Sequence, residues 1–82
     1  MKTKSKAPTE LEVMDALKLG EDLRLASLLV DWYKARRLWR ANKDGRAENK
    51  AMGATISAID ERLADDPERK MRLMNEMINQ FS

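Results

Sequence analysis

The chain has 82 residues, of which 43% are apolar and 37% are charged, and its formal net charge is +2. This length allows one domain with a modest core, and the apolar fraction argues against disorder. Because the sequence contains no His and no Cys, it excludes disulfides, thiolate nucleophiles, histidine bases and the usual zinc ligands.

The first predicted elements are a flexible basic tail over residues 1–8 and a short helix. The acidic residues that follow the tail stand where a signal peptide would need an apolar stretch, so we expect a cytoplasmic protein. Thr9 and Glu12 form a capping-box pattern, which predicts a first helix over residues 9–19. Gly20 is predicted to end or bend this helix.

A second and longest helix is predicted from Glu21 or Asp22 to Ala41, because acids favour a helix start and residues 42–45 have turn chemistry. On a helical wheel, the apolar side chains of its first half cover about 220°, so neighbours should cover it on two sides. They are Leu23, Leu25, Ala26, Leu28, Leu29, Val30, Trp32 and Tyr33. In the second half, arginines occupy the sector of Tyr33, so the first helix should end before them. The third and fourth helices are expected on the remaining apolar side of the second helix, away from the sector of Tyr33.

Two further helices complete an all-α bundle of four helices, residues 9–82 forming one domain. The third, over about residues 47–64, carries an apolar stripe of Met52, Ile56, Ile59 and Leu63. Asp66 before Pro67 is a helix-start signal, which predicts a fourth helix over residues 67–81. Its expected core face is Met71, Met74, Met77, Ile78 and Phe81. This methionine-rich face fits core packing or an adaptable docking surface.

The third helix has a second stripe, made of small residues, opposite the apolar one. Its members are Ala47, Ala51, Ala54 and Ala58. Such a stripe allows another helix to approach closely, which would make a homodimer, but alanine is also a good surface residue in helices. Both interpretations stay open.

No motif in the chain points to catalysis, a cofactor or a metal. Residues 42–45 resemble the middle of a calcium loop, but with Gly45 at its sixth position the loop would end at Ala51, where a carboxylate is required. The three glycines of the chain stand too far apart for a phosphate-binding loop. We therefore expect no enzyme, no cofactor, no metal and no membrane association.

The candidate site is a cluster of aromatic and basic residues in the second helix and the turn after it. Tryptophan, tyrosine and arginine dominate protein-binding hot spots because they combine large burial with directed hydrogen bonds. Residues 32–50 carry seven bases and two acids, a net charge of +5, whereas residues 9–31 carry six acids and two bases, a net charge of −4. The candidate partner-binding residues are Trp32, Tyr33, Arg36, Arg37, Trp39, Arg40, Lys43 and Arg46.

Two other interpretations of this cluster remain. The aromatic rings fit ordinary core packing, with the arginines solvated or paired with Asp60, Glu61, Asp65 or Glu68. Alternatively, the basic segment 34–50 could contact nucleic-acid phosphates while Trp39 stacks on a base. The low net charge weighs against this. A helix-turn-helix built around Ala16 and Gly20 would offer only one arginine and one serine to base edges.

The sequence thus predicts a non-enzymatic, cytoplasmic, protein-binding module, such as a small inhibitor, adaptor or regulator of a larger protein machine. Small charged helical proteins of this style are often encoded by phages or other mobile elements. Nucleic-acid binding through residues 34–50 and a structural role through homo-oligomerisation are the alternative functions.

Overall fold

Four helices form the fold in the computed structural model, which describes residues 8–42 and 45–81. Helix α1 spans Glu10–Ala16, α2 spans Leu23–Ala41, α3 spans Arg46–Arg62 and α4 spans Pro67–Phe81. These two ranges contain no strand, so the predicted all-α class with a short first and a long second helix is confirmed. The predicted tail lies outside the described residues except for Pro8, which is buried. None of the described helices is both long and apolar enough to cross a bilayer.

Helix α1 begins as predicted and ends earlier than predicted. The Thr9 backbone N–H donates to Glu12 Oε1 at 2.8 Å, and the Glu12 N–H donates to Thr9 Oγ1 at 3.2 Å, which completes the capping box. At the other end, Lys18 takes a left-handed φ of 56° and the Leu19 N–H donates to the Met14 carbonyl at 3.0 Å. This is a Schellman motif, with lysine where glycine is usual. The motif ends α1 before Gly20 is reached.

The left-handed residues after α1 give opposite expectations for two substitutions. We expect Lys18→Gly to raise the free energy of unfolding by about 0.5–1 kcal/mol, because glycine has no Cβ to strain this backbone. Gly20→Ala should lower it by about 1 kcal/mol, since Gly20 has a φ of 70° although open space surrounds it. As a control, Gly53→Ala within α3, also in open space, should raise it by about 1 kcal/mol. Urea denaturation followed by circular dichroism would measure all three, and a destabilised Lys18→Gly variant would contradict the Schellman assignment.

A carboxylate at the start of α2 joins it to the far end of α3. The Leu25 N–H donates to Asp22 Oδ1 at 3.1 Å, which caps α2, and Arg62 Nη2 donates to the same oxygen at 2.7 Å. Partial burial acts to raise the pKa of Asp22, but the Arg62 and Leu25 hydrogen bonds outweigh it, so the pKa lies below its usual value. Since Asp22 begins α2 and Arg62 ends α3, the two helices run antiparallel.

The core lies around α2, which packs against each of the other three helices. Its buried residues are Leu25, Ala26, Leu28, Leu29, Val30, Trp32, Tyr33 and Ala35. This agrees with the predicted apolar arc except at Leu23, which is 55% exposed at the first turn of α2. Ile59 and Leu63 of the predicted α3 stripe are buried, and Met52 and Ile56 pack against the core. Of the alanine stripe, Ala58 also packs against the core, and the other three members are exposed.

The core face of α4 matches the predicted face at four of its five positions and differs at Met71. Met71, expected in the core, is 57% exposed, whereas Leu73 is buried. Met77 is fully buried, and Met74, Ile78 and Phe81 pack against the core cluster. Lys70 Nζ lies 2.5 Å from Asp60 Oδ1, an ion pair that joins α4 to α3.

The end of α4 lies beside a part of α2 where we did not predict it. The Tyr33 hydroxyl donates a hydrogen bond to the Phe81 carbonyl at the last residue of α4. The Tyr33 side chain, which the sequence assigns to the sector covered by the first helix, therefore reaches the end of α4. The physical reason is that Tyr33 is buried and its hydroxyl needs a hydrogen-bond acceptor, which the free carbonyl at the end of α4 supplies.

Candidate interaction surface

The structure separates the candidate partner-binding residues into buried and accessible ones. Trp32 is 5% exposed and Tyr33 is 3% exposed, and both belong to the core cluster. Their rings therefore pack inside the protein and leave little area for a partner to touch. Lys43 lies outside the described residues.

The accessible candidates lie at the end of the α2–α3 hairpin. Arg36, Arg37 and Trp39 are partly exposed, and Arg40 is exposed, on the last turns of α2. The first residue of α3, Arg46, is also exposed. The turn between the two helices closes through the Gly45 N–H, which donates to the Asn42 carbonyl at 2.9 Å. We call these residues the arginine–tryptophan surface: Arg36, Arg37, Trp39, Arg40 and Arg46.

This surface lies on the part of α2 that follows its last buried residue. Burial along α2 continues from Leu25 to Ala35 and then stops, although the helix runs on to Ala41. Beyond Ala35, the wheel sector of Leu29 and Tyr33 is taken by arginines, as the sequence predicts. At these positions, arginines thus take the place of the apolar side chains that form the core earlier in α2. The large ring of Trp39 lies among them in the sequence.

The arginines of this surface are not used in salt bridges elsewhere in the described fold. The ion pairs found within residues 8–42 and 45–81 are Arg62 with Asp22 and Lys70 with Asp60. None of the acids that the sequence offered as partners for these arginines pairs with them in this part of the chain. The Arg37 guanidinium carbon lies 5.9 Å from the centroid of the Tyr33 ring, within the range of a cation–π contact.

Beside the surface lies a shallow groove that the sequence analysis did not include. Its volume is about 390 Å³ and its lining residues are Lys34, Arg37, Leu38 and Ala41. Leu38, the apolar side chain of this groove, is 60% exposed and lies beside the basic residues Lys34 and Arg37. On the helical wheel, Leu38 lies opposite the apolar arc that faces the core. This position already indicated that its side chain would be exposed.

This region can bind two kinds of group, namely anionic groups and groups that are aromatic or apolar. Arginine offers planar, directed donors for carboxylates and phosphates, and Trp39 offers a large contact area. Among the described side chains, no three carboxylates are grouped closely enough to hold a metal ion.

A scan against protein-family models, a search of curated proteins and a search of solved structures each returned no match to this chain.

Proposed function

We propose that this protein is a non-enzymatic binding module that docks on a protein partner through the arginine–tryptophan surface. The observation that supports this most is the position of Trp39. The ring is partly exposed, with cationic side chains one turn before it and directly after it. In the described part of the chain, Trp39 is not among the partly buried side chains that pack against the core cluster.

Such an arrangement resembles the centre of a protein-binding hot spot. A few tryptophan, tyrosine and arginine side chains usually carry most of the binding energy of an interface. The arginines form no ion pair within the described residues, and their charge favours a partner surface rich in carboxylates, because like-charged surfaces would repel. A small module of this kind would act as an inhibitor, adaptor or regulator of a larger protein.

Substitutions on this surface should abolish binding without unfolding the protein. We expect Trp39→Ala or Arg40→Glu to weaken capture of a stoichiometric protein partner by about 30-fold or more, the effect of losing one hot-spot residue. Arg72→Glu, which makes the same charge change at an exposed position of α4, is the matched control and should bind normally. Pull-down from native lysate read by mass spectrometry, with circular dichroism on each variant, would test this. Equal capture by all the variants would contradict the site, and so would a Trp39→Ala variant that fails to fold.

The same cations support a second candidate function, which is binding of nucleic acid. Four arginines meet at one end of the hairpin, and Trp39 could stack on a base. Splitting the pull-down into nuclease-treated and untreated halves separates the two functions. A protein retained in both halves supports a direct protein partner. Capture that disappears with nuclease, with affinity falling steeply as salt rises, would instead establish nucleic-acid binding.

A further inference from the structure

Three leucines are exposed at the surface of the described chain, and each of them lines a groove. Leu11 lies on α1, Leu23 at the start of α2 and Leu38 near the end of α2. A large apolar side chain in a groove offers contact area to a side chain of a partner. The charges around the groove then decide which partner segments it accepts, because like charges repel.

The groove at Leu38 differs in charge from the grooves at the other two leucines. Each of the other two grooves is lined by one acid and one base, so neither favours a partner of one charge. These pairs are Asp15 with Lys18 and Glu10 with Arg24. The groove at Leu38 is lined by two cations, and within the described residues it has no acidic lining. We call it the leucine groove: Lys34, Arg37, Leu38 and Ala41.

The arrangement of the leucine groove follows from the helical spacing of its residues. They occupy positions i, i+3, i+4 and i+7 of α2, which lie on one face of a helix. Leu38 and Ala41 supply apolar surface, and the two cations lie beside them. Asp31 lies one turn before Lys34 on the same helix, but it does not line the groove. The volume of about 390 Å³ lies near the lower end of the range for ligand sites, which is about 300–1,000 Å³.

Apolar surface between two cations is complementary to an acidic segment that carries one large apolar side chain. The apolar side chain would pack on Leu38 and Ala41, and carboxylates on either side of it would pair with the cations. Lys34 and Arg37 form no ion pair within the described residues, so binding would break none there.

The apolar part of the leucine groove also separates a protein segment from other anionic partners. Nucleic-acid phosphates would pair with the cations but would leave Leu38 without an apolar contact. A bilayer surface requires a broad apolar face on the helix that it binds. Beyond Ala35, in the described part of α2, Leu38 is the one large apolar side chain that is exposed. These features favour a protein segment.

We infer that the leucine groove binds an acidic segment of the protein partner, in which one large apolar side chain is flanked by carboxylates. This inference rests on the proposed function, because Arg37 belongs both to the leucine groove and to the arginine–tryptophan surface. It extends the interface to Lys34, Leu38 and Ala41, and it states which chemistry the partner must present.

Short peptides of random sequence, displayed on phage, are the probe for this chemistry. Selection on the native chain is expected to enrich peptides in which a large apolar residue has aspartate or glutamate on both sides. Replacing that apolar residue by alanine, or the acids by their amides, should each weaken binding of an enriched peptide about tenfold or more. Enrichment of peptides without acids, or no enrichment, would overturn the inference.

Two substitutions then locate the bound peptide, with fluorescence titration as the measurement. Leu38→Asp and Lys34→Glu should each weaken binding of an enriched peptide about tenfold or more, with unchanged helicity because both positions are exposed. Leu11→Asp makes the first change at an exposed leucine in a groove of mixed charge, and this matched control should bind as the native chain does. Equal binding by Leu38→Asp and the native chain would overturn the inference. Binding of anionic lipid vesicles that Leu38→Asp abolishes, without peptide enrichment, would also overturn it.

Failure of this inference can be told apart from failure of the proposed function, because Lys34 and Leu38 lie outside the arginine–tryptophan surface. Partner capture that Trp39→Ala abolishes, with no acidic peptide bound at the leucine groove, would overturn the inference alone. Acidic peptides bound at the leucine groove, with partner capture that Trp39→Ala leaves intact and Leu38→Asp abolishes, would support the inference and contradict the arginine–tryptophan surface.

Discussion

Met77→Lys should strongly destabilise the protein, whereas Met71→Lys should leave its stability almost unchanged. The two methionines lie on the same helix, but Met77 is fully buried and Met71 is 57% exposed. A lysine at position 77 would bring an unpaired charge into an apolar core, which costs about 3–5 kcal/mol. Domains of this size have a total stability of roughly 5–15 kcal/mol, so this loss is a large part of the whole.

Thermal unfolding followed by circular dichroism would measure the pair. The Met71→Lys variant should melt within a few degrees of the native chain, because surface substitutions usually change stability by less than about 0.5 kcal/mol. Equal destabilisation by the two substitutions would mean that α4 packs on the face that the sequence predicts. That outcome would contradict the orientation of α4 in the structure.

The sequence predicted the four helices, but it did not fully predict which side of α4 faces the core. The existence, order and approximate bounds of the four helices followed from capping residues and apolar spacing, which are local signals. The exposure of Met71 and the burial of Leu73 depend on how α4 packs on the rest of the fold, where the Lys70–Asp60 ion pair and the Tyr33–Phe81 hydrogen bond join it to α3 and α2. Neither contact has a local pattern. A stripe of flexible methionines also fixes a helix orientation poorly, since Met adapts to many packing arrangements.

The candidate surface could also be predicted from the sequence only in part. The wheel correctly placed the transition from core residues to arginines near Ala35, because that depends only on helical periodicity. It also placed Trp32 and Tyr33, which are buried, in the apolar arc, but the candidate site grouped them with Trp39, which is partly exposed. That difference depends on which part of α2 the other helices cover. The end of α1 was also missed, because the left-handed residue that ends a helix is usually glycine and here it is Lys18.

The second large effect is expected at the centre of α2. Leu29→Ala should lower the free energy of unfolding by about 2–5 kcal/mol, because Leu29 is fully buried and the substitution leaves a cavity in a core that can collapse only in part. The same substitution at Leu11, which is 74% exposed on α1, is the matched control and should cost less than about 0.5 kcal/mol.

Urea denaturation gives both values from the shift in midpoint, provided that the slope is unchanged. A Leu29→Ala variant as stable as the Leu11→Ala variant would show that α2 is not the central helix of the core. Leu29 lies in the apolar arc that the sequence predicts, so this experiment also tests the sequence-based assignment directly.

The antiparallel hairpin of α2 and α3 brings four arginines together at its turn, Arg36, Arg37 and Arg40 from α2 and Arg46 from α3. At the opposite end of the hairpin, Asp22 and Arg62 neutralise each other. In the field of an acidic partner, this uneven distribution of charge turns the protein before the two surfaces touch. An acidic surface would thus meet the hairpin turn first. A larger fraction of collisions would then have the orientation that binding requires.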